Sequence, residues 1–226
     1  MILGLDTATP ATVVAVLPDR GDPVELRHEP ASGQRPGHAN QLLPLAERAL
    51  ASLGATFADV TRIGVGVGPG TFTGLRIGVA TARALAQATG AELAAVSTLD
   101  ALAEPAAAAG RRVLAVLDAR RGEAFAAAYV GGERVAGPVA IAPEEVPAFA
   151  EQAAGEAAPS RWLAVGDGAI RFRDCLVPAA DVPGDDSTLH RVSALAVCRL
   201  ALAAPTVDRD AVLPEYVRPP DAVPRR

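Results

Sequence analysis

Apolar runs of strand length alternate along this chain with stripes at the 3.6-residue helical period. Ile2 to Leu5 is an apolar run closed by Asp6, and after the turn Thr7 to Ala11 a β-rich run covers Thr12 to Leu17. Val24 to His28 is a third strand, joined through the charged turn Asp19 to Asp22, and a loop with Gly, Pro and Ser follows from Pro30 to Gly37. Between about Ala39 and Leu53 the period changes. Leu42, Leu45, Ala46, Ala49, Leu50 and Leu53 form one stripe and predict an amphipathic helix. Pro44 falls inside it; an interior proline costs roughly 3 kcal/mol, so the helix is expected to begin near Pro44 or kink there. Gly54 is a natural stop. A strand at Ile63 to Val67 then leads through the turn Gly68 to Gly70 into a second helix, from about Thr73 to Thr89, stopped by Gly90. Leu93 to Val96 reads as a strand and Thr98 to Ala109 as a third helix.

The second half begins in the same way. Val113 to Leu117 ends in Asp118, the turn Ala119 to Glu123 leads to Ala124 to Val130, and Gly131-Gly132 turns the chain into Val135 to Ile141. Glu144 to Ala154 reads as a helix, Trp162 to Val165 as a strand and Ser193 to Ala203 as a last helix. The order strand, Asp, turn, strand, hairpin, strand, then helices thus occurs twice. Two copies of βββ followed by αβα are what a duplicated actin-like (ASKHA) α/β fold requires. The expected division is residues 1–108 and residues 109–226, the second unit ending in a short flexible tail.

Composition narrows the function. Of 226 residues 50% are apolar and only 4% aromatic, so Ala, Val, Leu and Gly must carry the core, as suits helices packed closely on a sheet. Cys175 and Cys198 sit in apolar contexts without metal-ligand spacing and read as buried thiols of a reducing compartment. The start shows no basic lead or signal-like segment, and Arg76, Arg83 and Arg199 break the long apolar runs. A cytoplasmic protein with no membrane span is therefore expected. The chain has no lysine, which excludes a Walker A loop and Schiff-base chemistry. A formal charge of −5 argues against tight nucleic-acid binding by the chain alone. The pairs Arg111/Arg112, Arg120/Arg121 and Arg225/Arg226 read as solvated turns.

Asp6 and Asp118 close the first strand of each half. In actin-like ATPases an Asp in that place faces the interdomain cleft and organises metal and phosphate. The other reading is that each carboxylate caps its own turn. The turn after Asp6, Thr7-Ala8-Thr9-Pro10, fits a phosphate cradle only in part, since Pro10 offers no N–H.

The most specific stretch is G-P-G-T-F-T-G-L-R-I-G, Gly68 to Gly78. It makes a sharp strand-to-helix turn in which Thr71 or Thr73 can cap the helix. The helix has two apolar faces: Leu75, Val79, Ala82 and Ala86 on one, Ile77, Ala84, Leu85 and Ala88 on the other. One must cover the sheet; the other must meet something else, and the pattern does not say which. With L-G-L-D-T-A-T, H-A-N-Q-L-L-P, V-S-T-L-D-A-L-A, D-A-R-R-G-E and P-E-Y-V-R, this block resembles the TsaB family. That family is the partner subunit in bacterial threonylcarbamoyladenosine synthesis on tRNA, and the likeness covers most of the chain.

The resemblance implies a non-catalytic subunit that dimerises with the catalytic paralogue TsaD, works with the small ATPase TsaE and meets tRNA only through the complex. The paralogue holds its metal with an H-x-x-x-H pair that falls here at about Thr98 and Leu102. A hydroxyl and a hydrocarbon replace two imidazoles. No catalytic, cofactor or metal residues are therefore expected, Asp6 and Asp118 remaining the weak candidates. The resemblance also implies pairing through the first two helices, with homodimerisation of the bare chain. The partner residues expected there are Leu42, Leu43, Ala46, Leu50, Gly74, Leu75, Gly78, Val79, Ala82 and Arg83. The rival expectation is a nucleotide- or metal-dependent hydrolase of the actin-like class, resting on Asp6, Asp118 and Glu123.

Overall fold

The structure, a computed structural model, describes residues 1–31, 33–154 and 161–218; the C-terminal tail with Arg225 and Arg226 lies outside the described residues. The first half runs β1 (Ile2–Asp6), β2 (Thr12–Leu17), β3 (Val24–His28), α1 (His38–Ala51), β4 (Arg62–Gly68), α2 (Phe72–Thr89), β5 (Glu92–Ser97) and α3 (Thr98–Ala107). Its strands form one sheet in the order β3-β2-β1-β4-β5, β1 antiparallel to β2 and parallel to β4. The second half runs β6 (Val113–Arg120), β7 (Glu123–Val130), β8 (Glu133–Ile141), α4 (Val146–Ala154), β9 (Trp162–Val165), α5 (Asp167–Arg171), α6 (Arg173–Leu176), β10 (Ala180–Asp181) and α7 (Ala194–Ala203). Its sheet has the order β10-β9-β6-β7-β8, with β6 antiparallel to β7 and parallel to β9. The same order, built on the same pairing directions, appears twice, as an actin-like fold requires. The short α5, α6 and β10 were not legible, because none is long enough to show a period.

Alternation across β1 explains the layers. Leu3 and Leu5 face α1 and α2 with Val14, Val16, Ile63 and Val65, while Ile2 faces the opposite way with Val13 and Ala15. That inner face is covered by α7, which comes from the second half and lies on β1, β2 and β4. The inner face of the second sheet is covered by α3, which comes from the first half and packs on β6 and β7. One core therefore joins the two sheets through both helices. The packing runs across residue 108, because each half lends the other a helix.

α1 starts at His38 and runs through Pro44 instead of beginning there. Pro44 lies on its exposed side, so the lost backbone bond is not in the core. After α7 the chain returns along the first sheet as a strap. Val207 N donates to Leu93 O at 2.9 Å, Glu215 N donates to Val67 O at 2.7 Å, and Val212 is buried beside α1 and α2. Among the described residues no helix is long and apolar enough to cross a membrane.

Candidate functional site

The turn from β4 into α2 is pressed against the end of β1. Thr71 N donates to Ala8 O at 2.8 Å, and Thr7 Oγ1 donates to Gly74 O at 2.7 Å. A Cβ on Gly74 would stand 1.9 Å from Thr7 O, and one on Gly78 would stand 2.4 Å from Thr7 Oγ1. These two glycines admit the chain's own β1 turn, not a partner's backbone, which corrects the expectation placed on them. Thr71 occupies the N-cap of α2, but its side chain makes no capping bond.

The faces of α2 are also the reverse of those expected. Leu75, Val79 and Ala82 are buried, Val79 and Ala82 against the outer face of the first sheet, with Val79 only 4% exposed. Leu42, Ala46 and Leu50 of α1 belong to the same core, so of the helix-one residues only Leu43, 42% exposed, reaches the surface. Arg83 is half-buried and bonds Asp210 of the strap at 2.5 Å. The outward face of α2 consists of Arg76, Ala80, Ala84, Gln87 and Ala88, with Ile77 and Leu85 half-buried beside them. α1 and α2 lie side by side on the same sheet face, so Leu43 and this small-residue ridge share one surface. Val79→Glu is accordingly expected to unfold the chain, seen as loss of the native circular dichroism signal, because it places a carboxylate in the sheet-facing core.

Asp6 and Asp118 make the same local bond. Asp6 Oδ1 accepts from Ala8 N at 2.8 Å and Asp118 Oδ1 accepts from Arg120 N at 2.8 Å, each capping the turn after its strand. Beyond this their surroundings differ. Asp6 is fully buried, and its Oδ2 accepts from Thr98 Oγ1 at 2.9 Å. Burial pushes its carboxyl up to about 6, against the weaker pull of the bonds from Ala8 and Thr98. Asp118 is almost wholly covered by Arg120 at 3.0 Å and Arg171 at 3.2 Å. Its backbone N donates to Asp167 at 3.0 Å, and burial raises the Asp167 carboxyl above the ordinary range.

Thr98 and Leu102 lie one turn apart on α3, both buried in the chain's own core. The Thr98 hydroxyl is committed to Asp6 and Leu102 offers no donor atom, so this position does not fit a metal of the paralogue's kind. Among the described residues no cluster of three or more His, Cys, Asp or Glu is placed to hold one. His38 is buried at the start of α1 and bonds Thr12 at 2.8 Å.

One cleft of about 430 Å³ opens between the halves, lined by the start of α2, the β6–β7 turn and the strap. Phe72 and Tyr216 stack at its mouth with ring centroids 5.4 Å apart, and the Arg76 guanidinium lies 3.7 Å over Phe72 while its Nε donates to the Tyr216 hydroxyl at 3.0 Å. Arg218 of the strap, which lines the cleft, pairs with Glu123 at the start of β7 at 2.5 Å. The sequence offered no sign that these segments meet, because Arg76 and Tyr216 are 140 residues apart.

Fold and site together define a duplicated actin-like protein with an uncovered outer helical face and an interdomain cleft edged by arginine. The family described as "TsaD: tRNA N6-adenosine threonylcarbamoyltransferase" matches residues 30–174. An uncharacterized protein of Mycobacterium tuberculosis is 36% identical over 230 residues, covering 99% of this chain and 94% of that one. The tRNA threonylcarbamoyladenosine biosynthesis protein TsaB of Escherichia coli is 32% identical over 200 residues, covering 80% of this chain and 82% of its own. Among solved structures, YeaZ from Pseudomonas aeruginosa superposes with a TM-score of 0.78 at 29% identity, covering 95% of this chain and 98% of that one. The chain belongs to the TsaB family.

Proposed function

We propose that this chain acts in tRNA threonylcarbamoyladenosine biosynthesis as a non-catalytic subunit, docking on a TsaD-type transferase through the outer face of α1 and α2. The observation that carries the reading is that face. Ala80, Ala84 and Ala88 leave a thin ridge on which another helix can lie close, and Leu43 and Ile77 flank it with apolar surface. The buried, committed state of Thr98 and Leu102 supports the non-catalytic part of the reading, since the paralogue's metal would need imidazoles there. A TsaE-type ATPase joins the assembled pair, and the bare face pairs with a second copy when the partner is absent.

Reconstituted transfer tests this. With the TsaD-type partner and the ATPase present, omitting this chain should abolish modification of the adenosine, and this chain without the partner should give none. Transfer by this chain alone would overturn the reading and return the actin-like hydrolase to consideration.

A further inference from the structure

A groove of about 510 Å³ runs between the outer ridge of α2 and the strap, on the face assigned above to docking. Ala80, Ala84 and Pro214 give it small apolar walls, and Arg76, Arg83 and Arg209 stand around it with a single carboxylate, Asp210. That carboxylate is spent on Arg83 at 2.5 Å. Arg76 is held by neutral groups: its guanidinium lies 3.7 Å over the Phe72 ring and its Nε donates to the Tyr216 hydroxyl at 3.0 Å. It is fixed in place with no counter-ion. Arg209 belongs to a single helical turn, Arg209–Ala211, which Asp208 caps by accepting from Asp210 N at 2.8 Å. Its own side chain makes no ion pair or hydrogen bond among the described residues. Two guanidiniums therefore line the groove without a carboxylate, on a chain whose net charge is −5. On α1 the exposed charges, Glu47 and Arg48, cancel. We infer that the helix laid along this face by the TsaD-type partner presents carboxylates to the groove, with Arg76 and Arg209 as their counter-ions. This rests on the docking reading above and adds to it the charge of the partner's surface. A second copy is the poorer occupant, because it brings the same surplus of arginine and the two faces repel as they close. A guanidinium covered without a counter-ion also loses its water with nothing in return. Charge thus selects the partner over the second copy.

The test is titration calorimetry of the full chain against the TsaD-type transferase at about 50 and about 200 mM salt, with sedimentation of the chain alone to follow self-association. Pairing with the partner should weaken as salt rises, and self-association should strengthen. Arg209→Gln should weaken partner pairing about tenfold at about 50 mM salt and reduce its salt dependence, and Arg76→Gln should do the same. Arg209→Glu should weaken partner pairing about a hundredfold while self-association improves. Arg209 is exposed, so its variants keep the fold. If Arg209→Glu and Arg76→Gln leave partner pairing unchanged while Ala84→Glu abolishes it, the inference falls and the docking reading stands. If Ala84→Glu has no effect either, the docking reading falls with it. Loss of partner pairing and self-association alike in Arg209→Glu also overturns the inference, since arginine would then pack in both contacts and not select between them by charge.

Discussion

Ala84→Glu should fold as the unaltered chain does and lose its TsaD-type partner by at least about a hundredfold, ~2.8 kcal/mol. Ala84 is exposed on the outer ridge of α2, so the folded monomer tolerates a carboxylate there. In a helix-on-helix contact the longer side chain props the helices apart on a ridge built of alanine, and its carboxylate loses water there even with Arg76, Arg83 and Arg209 lining the same groove. The check is titration calorimetry with the partner, alongside circular dichroism of the variant alone. Self-association should fall with it, because one surface serves both contacts. The contrast with Val79→Glu is the informative part. The two sites lie on one helix, and only the direction in which each faces separates loss of binding from loss of fold.

Asp6→Asn should gain stability over the unaltered chain as the pH rises, by about 3 kcal/mol above about pH 6. Folding raises the Asp6 pKa from 3.8 to about 6, so the folded chain holds that proton more tightly than the unfolded chain does. Below about pH 4 both states are protonated and Asp6 costs nothing. Between about pH 4 and pH 6 the unfolded state loses its proton first and stability falls; above about pH 6 the loss is complete. Asparagine keeps an oxygen for Ala8 N and presents an amide to Thr98, without the desolvated charge. Urea unfolding of both proteins at about pH 4.5 and pH 7.5 measures the difference, and a variant weaker at both values would show that the charge itself is used. Modification by the reconstituted complex should stay near normal for Asp6→Asn and Asp118→Asn. A loss beyond about a hundredfold, ~2.7 kcal/mol, with folding intact would instead favour a nucleotide role for these carboxylates.

The fold was legible because each strand and helix carries its own period. Ile2 to Leu5 and Val113 to Leu117, each ending in Asp, announced the repeat. The exposed face of α2 was not legible, because both faces are apolar and the tie is broken by Thr7, which is far away in sequence. Gly74 and Gly78 signal a close approach, but a sequence does not say whose backbone approaches. The exchange of α3 and α7 between the sheets was hidden for a related reason: a helix shows its stripe, not the sheet it will cover. The cleft was the least legible feature. Phe72, Asp118 and Tyr216 lie in three separate stretches, and Tyr216 sits in a strap with no period at all.

Photocrosslinking from a benzoylphenylalanine placed at Ala84, in a mixture of this chain with its TsaD-type partner, tests the docking role most directly. The control carries the same probe at Leu202 of α7, which is 62% exposed and lies on the opposite side of the first sheet. The probe at Ala84 should crosslink to the partner and the probe at Leu202 should not. Crosslinking from Leu202 with none from Ala84 would show that the partner meets a different surface and would contradict the docking of α1 and α2.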